Sequence, residues 1–151
     1  MILRKYVSSD LQNIVDLEKK AFVVGPYDES MIREIMESRN SINLIALDNG
    51  RIVGYIVALL LDGSSSDIES IAVDPESSRR GIGTTLLLAM EEQLRVMGVV
   101  KSYLEVRENN NEAIRFYIKH GYKTVQFLKN YYTEKFRGSR NAYRMVKILI
   151  P

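Results

Sequence analysis

Two glycines spaced two apart, Gly81 and Gly83, follow an apolar run and open a helix-like pattern. The stretch reads Ile71-Ala72-Val73-Asp74-Pro75-Glu76-Ser77-Ser78-Arg79-Arg80-Gly81-Ile82-Gly83-Thr84. A strand ending at Asp74-Pro75, a short loop and a helix opening at the glycines would aim several unpaired backbone N–H groups at one spot, with the helix dipole behind them. That arrangement suits a diphosphate, because glycine admits an anion where a Cβ would clash. Taken alone, the glycine pair equally fits an ordinary tight strand-to-helix turn. It is not a dinucleotide-binding fingerprint, since the third glycine is missing and hairpins precede it. No Gly-Lys-Ser/Thr follows, so it is not a P-loop.

Composition narrows the remaining chemistry. The chain has no cysteine, which excludes disulfides, thiolate zinc sites and acyl-cysteine intermediates. His120 is the only histidine, so neither a histidine-rich metal site nor a triad with a second imidazole is expected, and no metal is. Lys plus Arg number 21 against 19 acidic residues, a net charge of +2 that supports neither a nucleic-acid binder nor a polybasic membrane protein. Met1 to Tyr6 meets charges at once, and Ile52 to Leu61 falls far short of the roughly 18 apolar residues a membrane span needs. A soluble, cytoplasmic protein is the expectation. At 151 residues the chain has the length of one domain, spanning 1–151, with no repeat or linker to divide it.

The elements that must position these residues follow from spacing. Ile2 to Val7 reads as a strand, and Ser8 or Ser9 as the cap of a helix carrying Leu11, Ile14, Leu17 and Ala21. Phe22 to Tyr27 is a loop, and a second helix starts near Asp28 with Met31, Ile32, Ile35 and Met36 on one side. Ile42 to Leu47 and Ile52 to Leu61 flank Asn49-Gly50, a hairpin turn pair, and Asp67 to Val73 forms the next strand. A helix from Gly81 to about Met97 carries Ile82, Leu86, Met90, Leu94 and Met97 on one stripe. Val99 to Val106 is a strand, and Asn109 or Asn110 caps a helix closed by His120-Gly121, with His120 a partner for its C-terminal dipole. Strands at about Tyr122 to Leu128 and Ala142 to Ile150 end the chain. The expected fold is α/β: a mixed, mostly antiparallel twisted sheet with a central strand–helix–strand crossover and helices on both faces.

The glycine loop resembles the acetyl-coenzyme A loop of the GNAT superfamily of N-acetyltransferases, Arg/Gln-x-x-Gly-x-Gly/Ala, with Ser78 standing at the Arg/Gln position. Leu104-Glu105-Val106-Arg107, then Asn110, Ala113, Ile114, Phe116, Tyr117 and Gly121-Tyr122, are similar to the family's asparagine-helix-tyrosine-glycine-aromatic segment. Within the family the chain most resembles the protein N-terminal branch, the ribosomal-protein-alanine and archaeal Nα-acetyltransferases. Lys129-Asn130-Tyr131-Tyr132 and Ala142-Tyr143-Arg144-Met145 resemble the tyrosine segments with which such enzymes hold a peptide, whereas Ala21 to Tyr27 lacks the Leu-Pro-Glu-Asn-Tyr of some archaeal members.

The resemblance implies acetyl-CoA as cofactor, bound by Ile71, Ala72, Val73, Arg79, Arg80, Gly81, Ile82, Gly83, Thr84, Asn110 and Tyr117. It implies Tyr117 as the group that meets the departing thiolate and Glu105 as general base. Strand alternation points Glu105 away from Leu104 and Val106. Plain alternatives stand beside these roles: a core aromatic for Tyr117 and a solvated strand face for Glu105. Asp67 matches a base position in some relatives and also fits a turn-flanking aspartate. Tyr27, Tyr131, Tyr132 and Tyr143 are the expected peptide contacts, with the last three forming one wall. The expected reaction is direct transfer of acetyl to the α-amine of protein N-termini, ribosomal or nascent chains among them. A GNAT acting on a small amine or internal lysine and a non-catalytic acyl-CoA-binding module are the alternatives. Oligomeric state, monomer or dimer, and an auxiliary subunit stay open in the sequence.

Overall fold

The computed structural model describes residues 1–78 and 80–151. Among them, seven strands make one sheet: β1 (Ile2–Arg4), β2 (Ser41–Asp48), β3 (Arg51–Leu60), β4 (Ser65–Val73), β5 (Lys101–Arg107), β6 (Lys123–Leu128) and β7 (Ala142–Ile148). Their spatial order is β1-β2-β3-β4-β5-β7-β6. Every pairing is antiparallel except β4 with β5, which α3 (Ile82–Val96) connects, as parallel strands require a crossover. The helices α1 (Leu11–Ala21) and α2 (Glu29–Glu37) cover one face of the sheet, and α3 and α4 (Asn111–Lys119) cover the other. This is the mixed, mostly antiparallel α/β architecture that the element order implies. No helix among the described residues is long and apolar enough to cross a membrane.

Two apolar cores explain the unbroken hydrophobic run of β3. Tyr55 and Val57 join Ile14, Leu17, Ile32 and Met36 beneath α1 and α2. Ile56 and Ala58 alternate to the opposite side and meet Leu86, Met90, Leu94 and Tyr117. A strand covered on both faces needs apolar residues in both parities. Each fully buried Leu or Ile contributes about 1.5–3 kcal/mol. Gly54 lets α3 lie close on β3: a Cβ there would stand 3.0 Å from Leu86 Cδ1 and 3.1 Å from the Ala72 carbonyl oxygen.

Asn49 and Gly50 take φ of 50° and 77°, the primed hairpin geometry their types favour. Elsewhere the local reading needs correction. β1 stops at Arg4, because the Asp10 carboxylate reaches back to the Val7 N–H at 2.9 Å and bends the chain into a short 3-10 turn at Ser8–Asp10. Asp10, clamped by Arg4 at 2.8 and 2.9 Å, therefore organises the entry to α1 in place of Ser8 or Ser9. Met97 ends α3 with 47% of its surface exposed, off the buried stripe. Asn110, not Asn109, caps α4, accepting from the Ala113 N–H at 3.2 Å. At the other end of that helix the His120 ring meets the Phe116 carbonyl at 2.8 Å.

Candidate active site

β4 and β5 are paired only from Ser65–Lys101 to Ile68–Leu104, and then they part. β4 stays bonded to β3 as far as Val73, and β5 to β7 as far as Arg107. The facing edges beyond the parting, 69–73 and 105–107, thus carry backbone N–H and C=O groups with no strand between them. A β-bulge marks the parting: Val57 opposes Ser70 and Ala58 opposes Ile68, leaving Glu69 without a partner on β3. Bulges bend a strand and increase its twist. A cavity of about 740 Å³ opens between the edges.

The cavity draws its lining from both sides of the parted sheet. β4 gives Glu69, Ile71 and Val73, β5 gives Glu105 and Arg107, α3 gives Gly83, and α4 gives Tyr117 with Asn110 at its cap. The α1–α2 loop supplies Phe22, Val24 and Tyr27, and the loop between β6 and β7 supplies Tyr132. Tyr117 is 9% exposed, packed edge-on against Phe116 and Tyr122, and its hydroxyl has no hydrogen-bond partner among the described residues. Burial raises its pKa, so the phenol keeps its proton and is a donor. Arg107 lies over the Tyr132 ring at 3.9 Å and donates to the Glu134 carbonyl at 2.9 Å, fixing the β6–β7 loop to β5. Burial pushes the Tyr132 phenol up to about 12, against the opposing pull of Arg107.

Carboxylates gather beside this cavity on one side of the sheet. Arg144, opposite Glu105 in the β5–β7 register, donates from Nε to Glu105 Oε2 at 2.9 Å. Asp67 is 8% exposed and neighbours Glu105. Burial, then the Glu105 charge, push Asp67 up to about 9. Glu69 is also raised, by burial first and Glu105 second.

The N-terminus of α3 opens toward the same end of the sheet. Gly81 precedes it with φ +74°, a left-handed conformation that suits glycine, and as the N-cap it offers no capping side chain. The first intrahelical bond runs from Thr85 N–H to Gly81 O at 3.0 Å, so the N–H groups of Ile82, Gly83 and Thr84 precede the helical ladder.

Not every expected contact meets the cavity. Ala72 turns into the α1/α2 core at 3% exposure, and Ile82 is buried in the opposite core. Each therefore offers the cavity no side chain. The Arg80 guanidinium pairs with Asp48 at 2.6 Å, at the end of β2, and Thr84 is half-buried on α3. Arg79 lies outside the described residues. Tyr131 stacks edge-on against Tyr132 with ring centres 5.0 Å apart and is 47% exposed. Tyr143 opposes Val106 in the β5–β7 register and packs toward α3 and α4 beside Phe127, on the face opposite Glu105 and Arg144. The wall of three tyrosines is accordingly a pair, Tyr131 with Tyr132.

Sequence reasoning missed Glu18, Glu69 and the pairing of Arg144. Glu18, 1% exposed, accepts from the Tyr55 hydroxyl, from the Ser70 hydroxyl at 3.0 Å and from the Tyr27 N–H at 3.1 Å, tying the α1–α2 loop to β4. A signal existed: Glu18 falls four residues after Ile14 and seven after Leu11, on the buried stripe.

Residues 11–122 match the model of the Acetyltransferase (GNAT) family. The chain is 36% identical over 148 residues to an uncharacterized N-acetyltransferase of Methanocaldococcus jannaschii, covering 97% of this chain and 91% of the relative. It is 31% identical over 149 residues to an N-alpha-acetyltransferase of Sulfurisphaera tokodaii, covering 91% and 86%. The crystal structure of the ribosomal-protein-alanine N-acetyltransferase of Escherichia coli superposes with a TM-score of 0.91 at 25% identity, covering 99% of this chain and 94% of the other.

Proposed function

The chain belongs to the acetyltransferase (GNAT) family, and from that premise we propose that it transfers acetyl from acetyl-CoA to the α-amino group of protein N-termini. The observation that carries the reading is the single cavity that joins the parted edges of β4 and β5 to Tyr117, Glu105 and Tyr132. Relatives named as N-alpha- and ribosomal-protein-alanine acetyltransferases support it. Action in the cytoplasm on ribosomal or nascent chains goes with this reading.

The residues present fit acetyl-CoA. Three N–H groups at the start of α3 suit its diphosphate, and the free edge of β4 at Ile71 and Val73 offers amides as a neighbouring strand would. Acetyl-CoA supplies the thioester whose acyl carbon the substrate amine attacks. Glu105 takes the proton from the ammonium through water, and the buried Tyr117 hydroxyl donates to the departing sulfur. A free backbone N–H of the parted edges polarises the acyl oxygen. An α-amine of pKa near 8 is about one-tenth neutral at pH 7, against about one part in 2,500 for lysine, so a carboxylate relaying through water suffices for the first.

Tyr131 and Tyr132 hold the first peptide groups, since a flexible chain end must be fixed to aim its amine. An acetylation screen over peptides varied at their first two residues tests this. Free N-termini should react, and Nα-blocked peptides bearing lysine should react weakly. Tyr131→Ala or Tyr132→Ala should raise KM for peptide and leave KM for acetyl-CoA unchanged. Efficient turnover of polyamines or internal lysines, insensitive to both changes, would sink the N-terminal reading. Binding of acetyl-CoA with no turnover of any amine would do the same in favour of a binding module.

A further inference from the structure

Asp67 is a buried acid beside, but not part of, the pair Glu105 and Tyr117. It stands on β4 opposite Tyr103, two residues before Glu105, one register step before the strands part. Alternation puts Asp67, Tyr103 and Glu105 on one face of the sheet. Its carboxyl is buried on the Glu105 side of the sheet, and its Oδ1 has no partner among the described residues. Burial, and then the nearby Glu105 carboxylate, disfavour a charge on Asp67, so its carboxyl keeps its proton. Arg144 favours the charge on Glu105. Its Nε bonds Glu105 Oε2 at 2.9 Å while its Nη1 is held by Gln126 Oε1 at 2.9 Å, so the cation is committed to Glu105. Glu69 on β4 and the phenols of Tyr131 and Tyr132 are its other titratable neighbours, and the Glu69 charge disfavours a further charge at Asp67.

We infer that Asp67 is a positioning residue, a neutral carboxylic acid whose O–H donates to Glu105 and, together with Arg144, fixes the Glu105 carboxylate at the cavity. The inference rests on the reading of Glu105 as the base. A carboxylate held by two donors keeps one rotamer, and a proton acceptor must be aimed to be effective.

Asp67→Asn replaces the O–H donor with an N–H donor of similar size, and Asp67→Ala removes it. Asp67→Ala should lose about tenfold or more in kcat with KM for acetyl-CoA unchanged, and Asp67→Asn should recover most of that loss. Carbon-13 NMR of the side-chain carboxyls gives a reading that needs no turnover. The Asp67 resonance, identified by its absence in Asp67→Asn, should be that of a protonated acid at neutral pH and shift only in the alkaline range. An Asp67 already ionised at neutral pH overturns the inference. So does an Asp67→Asn enzyme as slow as Asp67→Ala, which would make Asp67 itself the proton acceptor. Undiminished kcat in Glu105→Gln overturns the base assignment instead, and the NMR titration tells that failure apart from an ionised Asp67.

Discussion

Glu105 and Tyr117 reach the cavity for different physical reasons. Glu105 does so by strand parity, with Leu104 and Val106 buried on the far side and Arg144 holding its Oε2. Tyr117 does so from a helix, its ring locked between Phe116 and Tyr122 and its hydroxyl without a partner among the described residues. Tyr117→Phe removes the hydroxyl alone and keeps that packing, and Glu105→Gln keeps the shape while removing the acceptor of a proton. Each should lower kcat at least about tenfold, about 1.4 kcal/mol of barrier, with KM for acetyl-CoA little changed. The Glu105→Gln profile of rate against pH should also move toward alkaline values, since more amine must arrive already neutral. Steady-state kinetics across pH measures both, and near-normal kcat in the two variants would place the acid and base on other residues.

At the scale of elements, α3 serves the fold and the site with different ends. Its middle packs Leu86, Met90 and Leu94 into the core, and Gly54 beneath lets the helix settle against β3. Its first turn stands behind Gly81, which offers no capping side chain. A Cβ at Gly81 meets nothing within 4 Å, so a substitution there is opposed by backbone conformation rather than by neighbouring atoms. Holding a β-branched residue at φ +74° costs about 1–2 kcal/mol, and the loop relaxes to avoid it. Gly81→Val should therefore weaken coenzyme A binding by about tenfold while the domain stays folded, because the N–H groups no longer converge. Calorimetric titration with coenzyme A measures the affinity, and circular dichroism checks the fold. Unchanged affinity in a folded Gly81→Val protein would remove the glycine loop from the binding site.

For the whole molecule, two buried aspartates give stability opposite dependences on pH. Asp10 is held low, first by its hydrogen bonds from Arg4, so its contribution is present above the ordinary carboxylate range and is lost as pH falls through its lowered value. Asp67 runs the other way. Its pKa rises from 3.8 unfolded to about 9 folded, so between those values the folded chain keeps a proton that the unfolded chain has released. Stability then declines as pH rises across that window, because the folded state binds more protons there. Asp67→Asn has no proton to release and escapes the decline. Its Tm should exceed that of the parent by more at about pH 8 than at about pH 5. Thermal unfolding of both proteins at the two values measures this, and a gap that does not widen would mean that Asp67 is ionised in the folded state.

What the sequence determined by itself is what local chemistry determines. Helical and strand spacing gave the main helices and strands, Asn49-Gly50 the hairpin, and Asn109 or Asn110 the cap of α4, because propensity and turn geometry act over a few residues. Parity gave the orientation of Glu105. The same parity links Tyr143 to Met145, a core residue, and so carried a legible sign that Tyr143 faces away from Glu105. Only the tertiary structure decided the rest. The bulge at Glu69 exists only against β3, and the parting of β4 from β5 exists only in their shared register. Asp67, Glu105 and Arg144 come from three strands, and no spacing along the chain records which of them meet. The Asp67 proton is kept by burial and by the neighbouring carboxylates, and both are properties of the packed sheet.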